Sequence, residues 1–234
     1  CELVQLLQHT EYGKEHNISS IDDFHNNLPI VTYEEIEPWI ERQKSSNQKI
    51  LTAERPRIYE KTSGSSGPAK YIPYTKSLQR TFTRMGVLWG NDIVRYGPQL
   101  KSGKLFFSIS PSFSQPEKTQ TGVPIGFEND AEYISGWEYW ALKPFLAIPP
   151  QISKIREPER FLFELCNALV RADKLEIISI WNPGFLLMLL DYIKENYKTL
   201  GLNTFPDFNQ LWPNLKLISC WNSAQAKPLA NQLS

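Results

Sequence analysis

The sequence predicts an α/β protein with a mainly parallel sheet and flanking helices, and three observations carry that expectation. Residues 175–181 and 215–221 are two nearly unbroken apolar runs, the pattern of strands buried on both faces; a sheet with one wet face would alternate. Between them, residues 183–197 keep a helical spacing. Asn182 and Pro183 open it as a cap followed by a proline at the first helical position, and Gly201 lies just past its end. Strand, crossover helix and strand imply parallel pairing with the usual right-handed connection. A third strand run lies at 105–109. Polar residues Ser110, Asn182, Asn222 and Ser223 then fall at carboxyl strand ends, the edge where ligands bind in open α/β sheets. Asn222 and Ser223 are therefore candidate substrate contacts.

From the amino end, Leu3, Leu6 and Leu7 have helical spacing, and Tyr12-Gly13 stops or bends that helix. Ser20 offers a cap with Asp23 three residues on, and Ile21, Phe24 and Leu28 follow on one face. Thr32 and Glu35 make a capping-box pattern, in which the carboxylate reaches back to the Thr32 N–H. A further helix starts there with Ile36 and Ile40 inward. Residues 1–49 are expected to be a helical N-terminal cover, and 50–234 an incomplete α/β domain. Residues 50–60 lead into a strand, residues 70–74 form another, and Thr75 caps a long helix. Its apolar positions Leu78, Phe82, Met85, Trp89, Ile93 and Tyr96 repeat at a helical period until Gly97-Pro98. One face of this helix is expected in the core, with Trp89 and Ile93 as alternative contacts to a bound acyl group. After the strand at 105–109 comes a long loop through Gly122, Pro124 and Gly126, of a length that tends to be functional or mobile. A Trp- and Tyr-rich helix is expected over 133–145. Pro158 opens a stronger one with Phe161, Leu162, Leu165, Cys166 and Leu169 on its face.

A chain of 234 residues with 41% hydrophobic content is long enough for a core of one or two domains. Lys+Arg and Asp+Glu are both 25, so no basic surplus exists to drive binding to phosphate backbones, and nucleic acid is not expected as a partner. The longest apolar run, 185–190, is far short of the roughly 20 residues that span a bilayer. No basic-then-apolar leader opens the chain. No membrane partner and a cytoplasmic location are expected. Cys1, Cys166 and Cys220 are odd in number and lack ligand spacing, so they read as reduced thiols, the latter two buried among apolar neighbours. His9, His16 and His25 lie early in the chain without a third metal ligand or a Gly-x-Ser-x-Gly elbow. They read as surface or packing residues, and no metal ligand set is assigned. Residue 1 is Cys and not Met, so the natural start is expected upstream.

The densest chemistry is the run Thr62, Ser63, Gly64, Ser65, Ser66, Gly67, Pro68, Ala69, Lys70, set between two β-prone pieces. Glycine lets a backbone enter positive φ and approach a ligand closely, so successive N–H groups can converge on one anion. The hydroxyls add rotatable donors and Lys70 a point charge. Pro68 has no N–H, so backbone donors must come from before it. A Walker A loop would place Lys directly after its second Gly, and Lys70 stands three places after Gly67 with Tyr71 behind it. That motif is excluded, and so is Gly-x-Gly-x-x-Gly, since the spacing is Gly64-x-x-Gly67. An ordinary Ser/Gly turn and a phosphate site fit these nine residues equally well.

The spacing resembles the nucleotide loop of adenylate-forming enzymes. The flanks, Leu28-Pro29-Ile30-Val31-Thr32-Tyr33-Glu34-Glu35, then Pro38-Trp39-Ile40-Glu41-Arg42, and Lys70-Tyr71-Ile72-Pro73-Tyr74-Thr75, resemble the plant auxin-responsive acyl-acid amido synthetase family and its bacterial relatives. That resemblance implies the N-terminal part of an adenylate-forming enzyme fold and an ATP-dependent acid–amino acid ligase. ATP and Mg²⁺ would serve it, with a small-molecule carboxylic acid and an amino acid as partners. By resemblance, Thr62, Ser63, Gly64, Ser65, Ser66 and Gly67 with Lys70 hold the β- and γ-phosphates, and Lys70 neutralises the leaving pyrophosphate; the carboxyl edge of the parallel strands is expected to bring Asn222 and Ser223 within reach of the acyl half. The family's later motifs do not follow: the sole Ser/Thr-Glu pair, Thr10-Glu11, precedes the loop, and no Gly-Asp occurs. The chain is therefore expected to be an N-terminal part that does not turn over alone. The alternatives are a non-catalytic nucleotide- or acyl-binding module, and a sibling that passes the acyl group to a thiol such as coenzyme A.

Overall fold

Short apolar faces separated by caps fold the amino-terminal stretch into four helices, α1 (Glu2–Leu7), α2 (Glu11–Glu15), α3 (Ile21–Asn27) and α4 (Tyr33–Ser45). In this computed structural model the described residues are 2–61, 69–107, 117–126 and 137–233. The caps fall where residue chemistry puts them. The Asp23 N–H donates to the Ser20 hydroxyl at 3.0 Å while the Ser20 N–H donates to the Asp23 carboxylate at 2.8 Å. At α4 the Thr32 N–H donates to Glu35 at 2.6 Å.

These helices share one compact unit, Cys1–Phe82 with Gln115–Phe127, with a four-stranded sheet of order β2-β1-β5-β4. Its strands are β1 (Ile58–Lys61), β2 (Tyr71–Tyr74), β4 (Glu117–Lys118) and β5 (Pro124–Ile125). β1 and β2 are antiparallel, with Lys61 opposite Tyr71. Ile40 of α4 packs with Tyr59 of β1 and Val123 in a small core.

The second unit, Thr83–Ser114 with Glu128–Ser234, holds the parallel sheet. β3 (Lys104–Phe107), β6 (Leu175–Ser179) and β7 (Leu217–Ser219) lie in the order β3-β6-β7, parallel throughout. The helix α8 (Pro183–Glu195) crosses over between the last two. This is the expected architecture, with shorter strands than the apolar runs; position 109 of the first lies outside the described residues. Strand pairing continues past β7, since the Trp221 N–H donates to the Trp181 carbonyl at 3.0 Å. α7 (Pro158–Val170) buries Phe161, Leu165, Cys166 and Leu169 as its period requires. With Leu186, Leu189 and Ile193 of α8 and Phe106 and Ile178 of the sheet they form the main core. The Trp212 indole N–H, buried there, donates to the Leu169 carbonyl at 2.9 Å. The Trp- and Tyr-rich segment gives a short helix, α6 (Trp137–Leu142), and one 3-10 turn, Lys143–Phe145. Two further helices of four residues each, α9 (Phe208–Leu211) and α10 (Lys227–Ala230), flank β7 in sequence.

Three expectations need correction. The helix α5 (Lys76–Tyr96) forms as predicted, and the Leu78 N–H reaches the Thr75 hydroxyl at 3.3 Å. Its apolar face, however, is not core: Gln79 alone is buried, while Met85 is 55% and Tyr96 80% exposed. A hydrophobic period reports that a face is apolar, not that these residues supply its cover. β7 is half-buried at all three positions, unlike the central strand β6. Cys166 is a buried free thiol, pushed up to about 12 by burial, whereas free Cys220 is only half-buried.

Within β6, Glu176 has no exposed surface. Its carboxylate accepts the N–H groups of Lys101, Ser102 and Gly103 at 2.8, 2.7 and 2.6 Å, and the Lys216 ammonium at 2.9 Å. Gly103 sits at φ +64, and a Cβ there would come within 3.2 Å of the Phe145 ring. The turn that aims these N–H groups therefore suits glycine. Burial alone would raise the carboxyl; the Lys101 N–H, the Lys216 ammonium and the other two N–H groups hold it at about 2 instead of 4.5. A carboxyl depressed on folding stabilises the native state above its unfolded value and loses that contribution as pH falls towards 2. Glu176→Gln should lower the unfolding free energy by about 3–5 kcal/mol at neutral pH. In urea denaturation the wild type should lose more stability than this variant between pH 4.5 and 2; equal slopes would refute the assignment.

Candidate functional site

The hydroxyl-and-glycine run joins two strands that pair at its two ends. β1 stops at Lys61, β2 starts at Tyr71, and these residues face each other across the ladder. Thr62, Ser63, Gly64, Ser65, Ser66, Gly67 and Pro68 lie outside the described residues, so the structure reports on this site through Lys70 and the strands that anchor it.

Lys70 is held by α4. Its Nζ lies 2.9 Å from a Glu34 carboxylate oxygen and 4.9 Å from the centroid of the Tyr33 ring. The Tyr33 hydroxyl accepts the N–H of Tyr71, the next residue, at 2.7 Å. Lys44, at the far end of α4, places its Nζ 3.7 Å from the Tyr71 ring centroid, within cation–π range. Helix and strand start are thus connected at three points. The helix is itself pinned: Gln43 is 4% exposed, and its side-chain oxygen accepts the Leu51 and Thr52 N–H groups at 2.8 and 3.0 Å. A hydrogen bond from Lys70 holds the Glu34 carboxyl below the usual carboxylate range. The Lys70 side chain keeps 45% of its surface exposed. Chemically this is an exposed cation beside the start of a strand, with one exposed carboxylate partner among the described residues.

The spacing of the sequence could not expose this arrangement. Tyr33 and Glu34 stand among the residues that carry the family resemblance, but on pattern alone they mark only the start of a helix. Glu34 is 36 positions from Lys70, and no local period links them.

In the second unit, β6 and β7 are parallel, so their carboxyl ends share an edge. Asn222 and Ser223 follow β7 there, both exposed. Neither side chain has a hydrogen-bond partner among the described residues. Ala224, next in line, takes φ 47, a left-handed conformation that is rare for a residue with a Cβ and tends to mark functional turns. Asn182 is occupied as the cap of α8, accepting the Gly184 N–H at 2.8 Å. Trp221, which sequence reasoning passed over, is 54% exposed and meets Trp181 edge to face at 5.7 Å. Ser110 lies outside the described residues. Trp89 and Ile93 are half-buried. Among the described residues no three His, Cys, Asp or Glu side chains could together hold a metal ion. No helix of the described residues is long and apolar enough to cross a membrane.

Residues 1–203 match the GH3 family N-terminal domain. Indole-3-acetic acid-amido synthetase GH3.2 of Arabidopsis thaliana is 24% identical over 216 residues, covering 86% of this chain and 38% of that protein. Two solved structures are also similar: AtGH3.15 acyl acid amido synthetase in complex with 2,4-DB, and GH3.15 acyl acid amido synthetase. Each has a TM-score of 0.78, at 17% and 16% identity respectively, covering 99% of this chain and 48% of its own. At those identities the structural likeness is one of fold. The chain therefore spans less than half the length of these relatives. With the family's N-terminal domain matched from residue 1 to residue 203, the chain belongs to the GH3 family.

Proposed function

We propose that the chain carries the polyphosphate-gripping part of a cytoplasmic, ATP-dependent acid–amino acid ligase. The observation that carries this reading is the run Thr62, Ser63, Gly64, Ser65, Ser66, Gly67 ending at Lys70 and joined directly to β2, in a chain of the GH3 family. In the reaction, a carboxylate oxygen attacks the α-phosphorus of ATP, the bond from that phosphorus to the bridging oxygen breaks, and pyrophosphate leaves. The amino group of an amino acid then attacks the acyl carbon; the carbon–oxygen bond to AMP breaks and the amine loses a proton. Attack at phosphorus asks a protein for position and charge neutralisation more than for covalent chemistry. Residues 62–67 supply donors to the β- and γ-phosphates, and Lys70 supplies the charge that meets the departing pyrophosphate. The relatives named for indole-3-acetic acid and solved with 2,4-DB support a small carboxylic acid as the acyl substrate. Asn222 and Ser223, beside the left-handed Ala224, would face its acyl end.

Charge-assisted hydrogen bonds are worth about 1.5–3 kcal/mol each. Lys70→Ala should therefore weaken pyrophosphate or ATP binding by about 10- to 100-fold, measured by calorimetry. Wild-type affinity in that variant would remove Lys70 from the site. The resemblance implies an adenine-stacking aromatic before a Ser/Thr-Glu pair and a ribose-binding Gly-Asp after the loop; no Gly-Asp occurs in this sequence and its one Ser/Thr-Glu pair precedes the loop. The 234-residue chain by itself, offered ATP, a carboxylic acid and an amino acid, should form no acid-dependent AMP; steady AMP release would contradict this. Release with a thiol in place of the amine would favour the thiol-transfer reading.

A further inference from the structure

We propose that Glu34 is a resting dock for the Lys70 ammonium, from which an incoming polyphosphate takes the lysine over, so that Glu34 tunes how tightly Lys70 holds that anion. The inference rests on the reading of Lys70 as a phosphate ligand. Four observations carry it. The Lys70 Nζ is engaged by a Glu34 oxygen at 2.9 Å, so in this state the cation already has an anionic partner. That partner is 67% exposed and the lysine 45%, and exposed ion pairs are weak and screened by salt. The Lys70 Nζ lies 4.9 Å from the Tyr33 ring centroid, while the Tyr33 hydroxyl accepts the N–H of the neighbouring Tyr71 at 2.7 Å and holds the backbone there. The ammonium can therefore change partner while its own backbone remains fixed. Finally, α4 is pinned by Gln43 and Ile40, so the helix that carries Glu34 is held in place.

A polyphosphate offers several charged oxygens, and charge-assisted bonds to it outcompete a lone exposed carboxylate. Binding must first release Lys70, and Glu34 opposes it by the strength of the pair. Glu34 touches no phosphate in this account; it is a positioning residue that acts through Lys70.

The test is a double-mutant cycle on pyrophosphate affinity, by calorimetry at low salt, with the wild-type chain, E34Q, K70A and E34Q/K70A. E34Q should bind about two- to fivefold tighter than wild type. In the K70A background the same substitution should change affinity by less than about 1.5-fold, as expected for a residue acting only through Lys70. Unchanged or weaker binding by E34Q, with K70A still impaired, overturns the dock and leaves the phosphate reading standing. An E34Q effect of equal size on the K70A background overturns it too, because Glu34 would then act independently of the lysine. No pyrophosphate binding by the wild type overturns both readings. The pair that opposes binding also holds the folded chain, so E34Q should lower the folding constant measured in urea by no more than about the two- to fivefold it adds to binding; a larger loss would mark Glu34 as structural and contradict a surface dock.

Discussion

A carboxylate with no exposed surface sits in the middle strand of the parallel sheet, and much of the second unit depends on how it is satisfied. Left unpaired, a buried charge is strongly destabilising. Glu176 escapes that because three successive N–H groups, from Lys101, Ser102 and Gly103, point at it, and Lys216 reaches it from the approach to β7. One side chain thereby ties the turn before β3 to β6 and to β7. A slip of either neighbour by one residue would face its donors away from the carboxylate. The apolar layer of α7 and α8 supplies most of the burial, and the carboxylate adds a polar constraint on register to it. A fixed register is also what brings Trp181 and Trp221, and the residues after them, to the same edge.

The first unit uses the same device at lower stakes. Gln43, nearly buried, satisfies the Leu51 and Thr52 N–H groups on the way to β1, and the Tyr33 hydroxyl satisfies the Tyr71 N–H at the start of β2. Both strands that bracket residues 62–70 are thus referred to one helix. The lysine that closes the run is exposed and weakly paired, whereas its backbone is fixed through Tyr71. Rigid attachment with a loosely held head is what anion capture requires: position is settled in advance and the charge remains available.

How far the sequence spoke depended on what each pattern encodes. The central strand β6 and the crossover α8 were legible because burial on both faces removes alternation and because Asn182-Pro183 marks a helix start; β7 shared the apolar run but is only half-buried. Glu176 was not, since one acid in an apolar run looks like a tolerated exception until its donors, about 75 residues earlier, are brought beside it. The capping residues Ser20 and Thr32 were legible for the same local reason. The face of α5 was misread because amphipathicity names a face that wants cover without naming the cover. At the candidate site, Lys70 was marked by composition and spacing, and Asn222 and Ser223 by their place after an apolar strand. Glu34 and Tyr33 were hidden by their distance along the chain from Lys70. Ala224 carried no signal, because nothing about alanine announces a left-handed turn.

The reading of Lys70 as a phosphate ligand requires residues 62–67 and Lys70 to form one anion site. A crystal structure of the chain grown with pyrophosphate tests it most directly. The anion should lie within hydrogen-bond distance of the Lys70 Nζ and of donors from residues 62–67, with Nζ no longer on Glu34. Pyrophosphate bound elsewhere, with Lys70 still paired to Glu34, would contradict it.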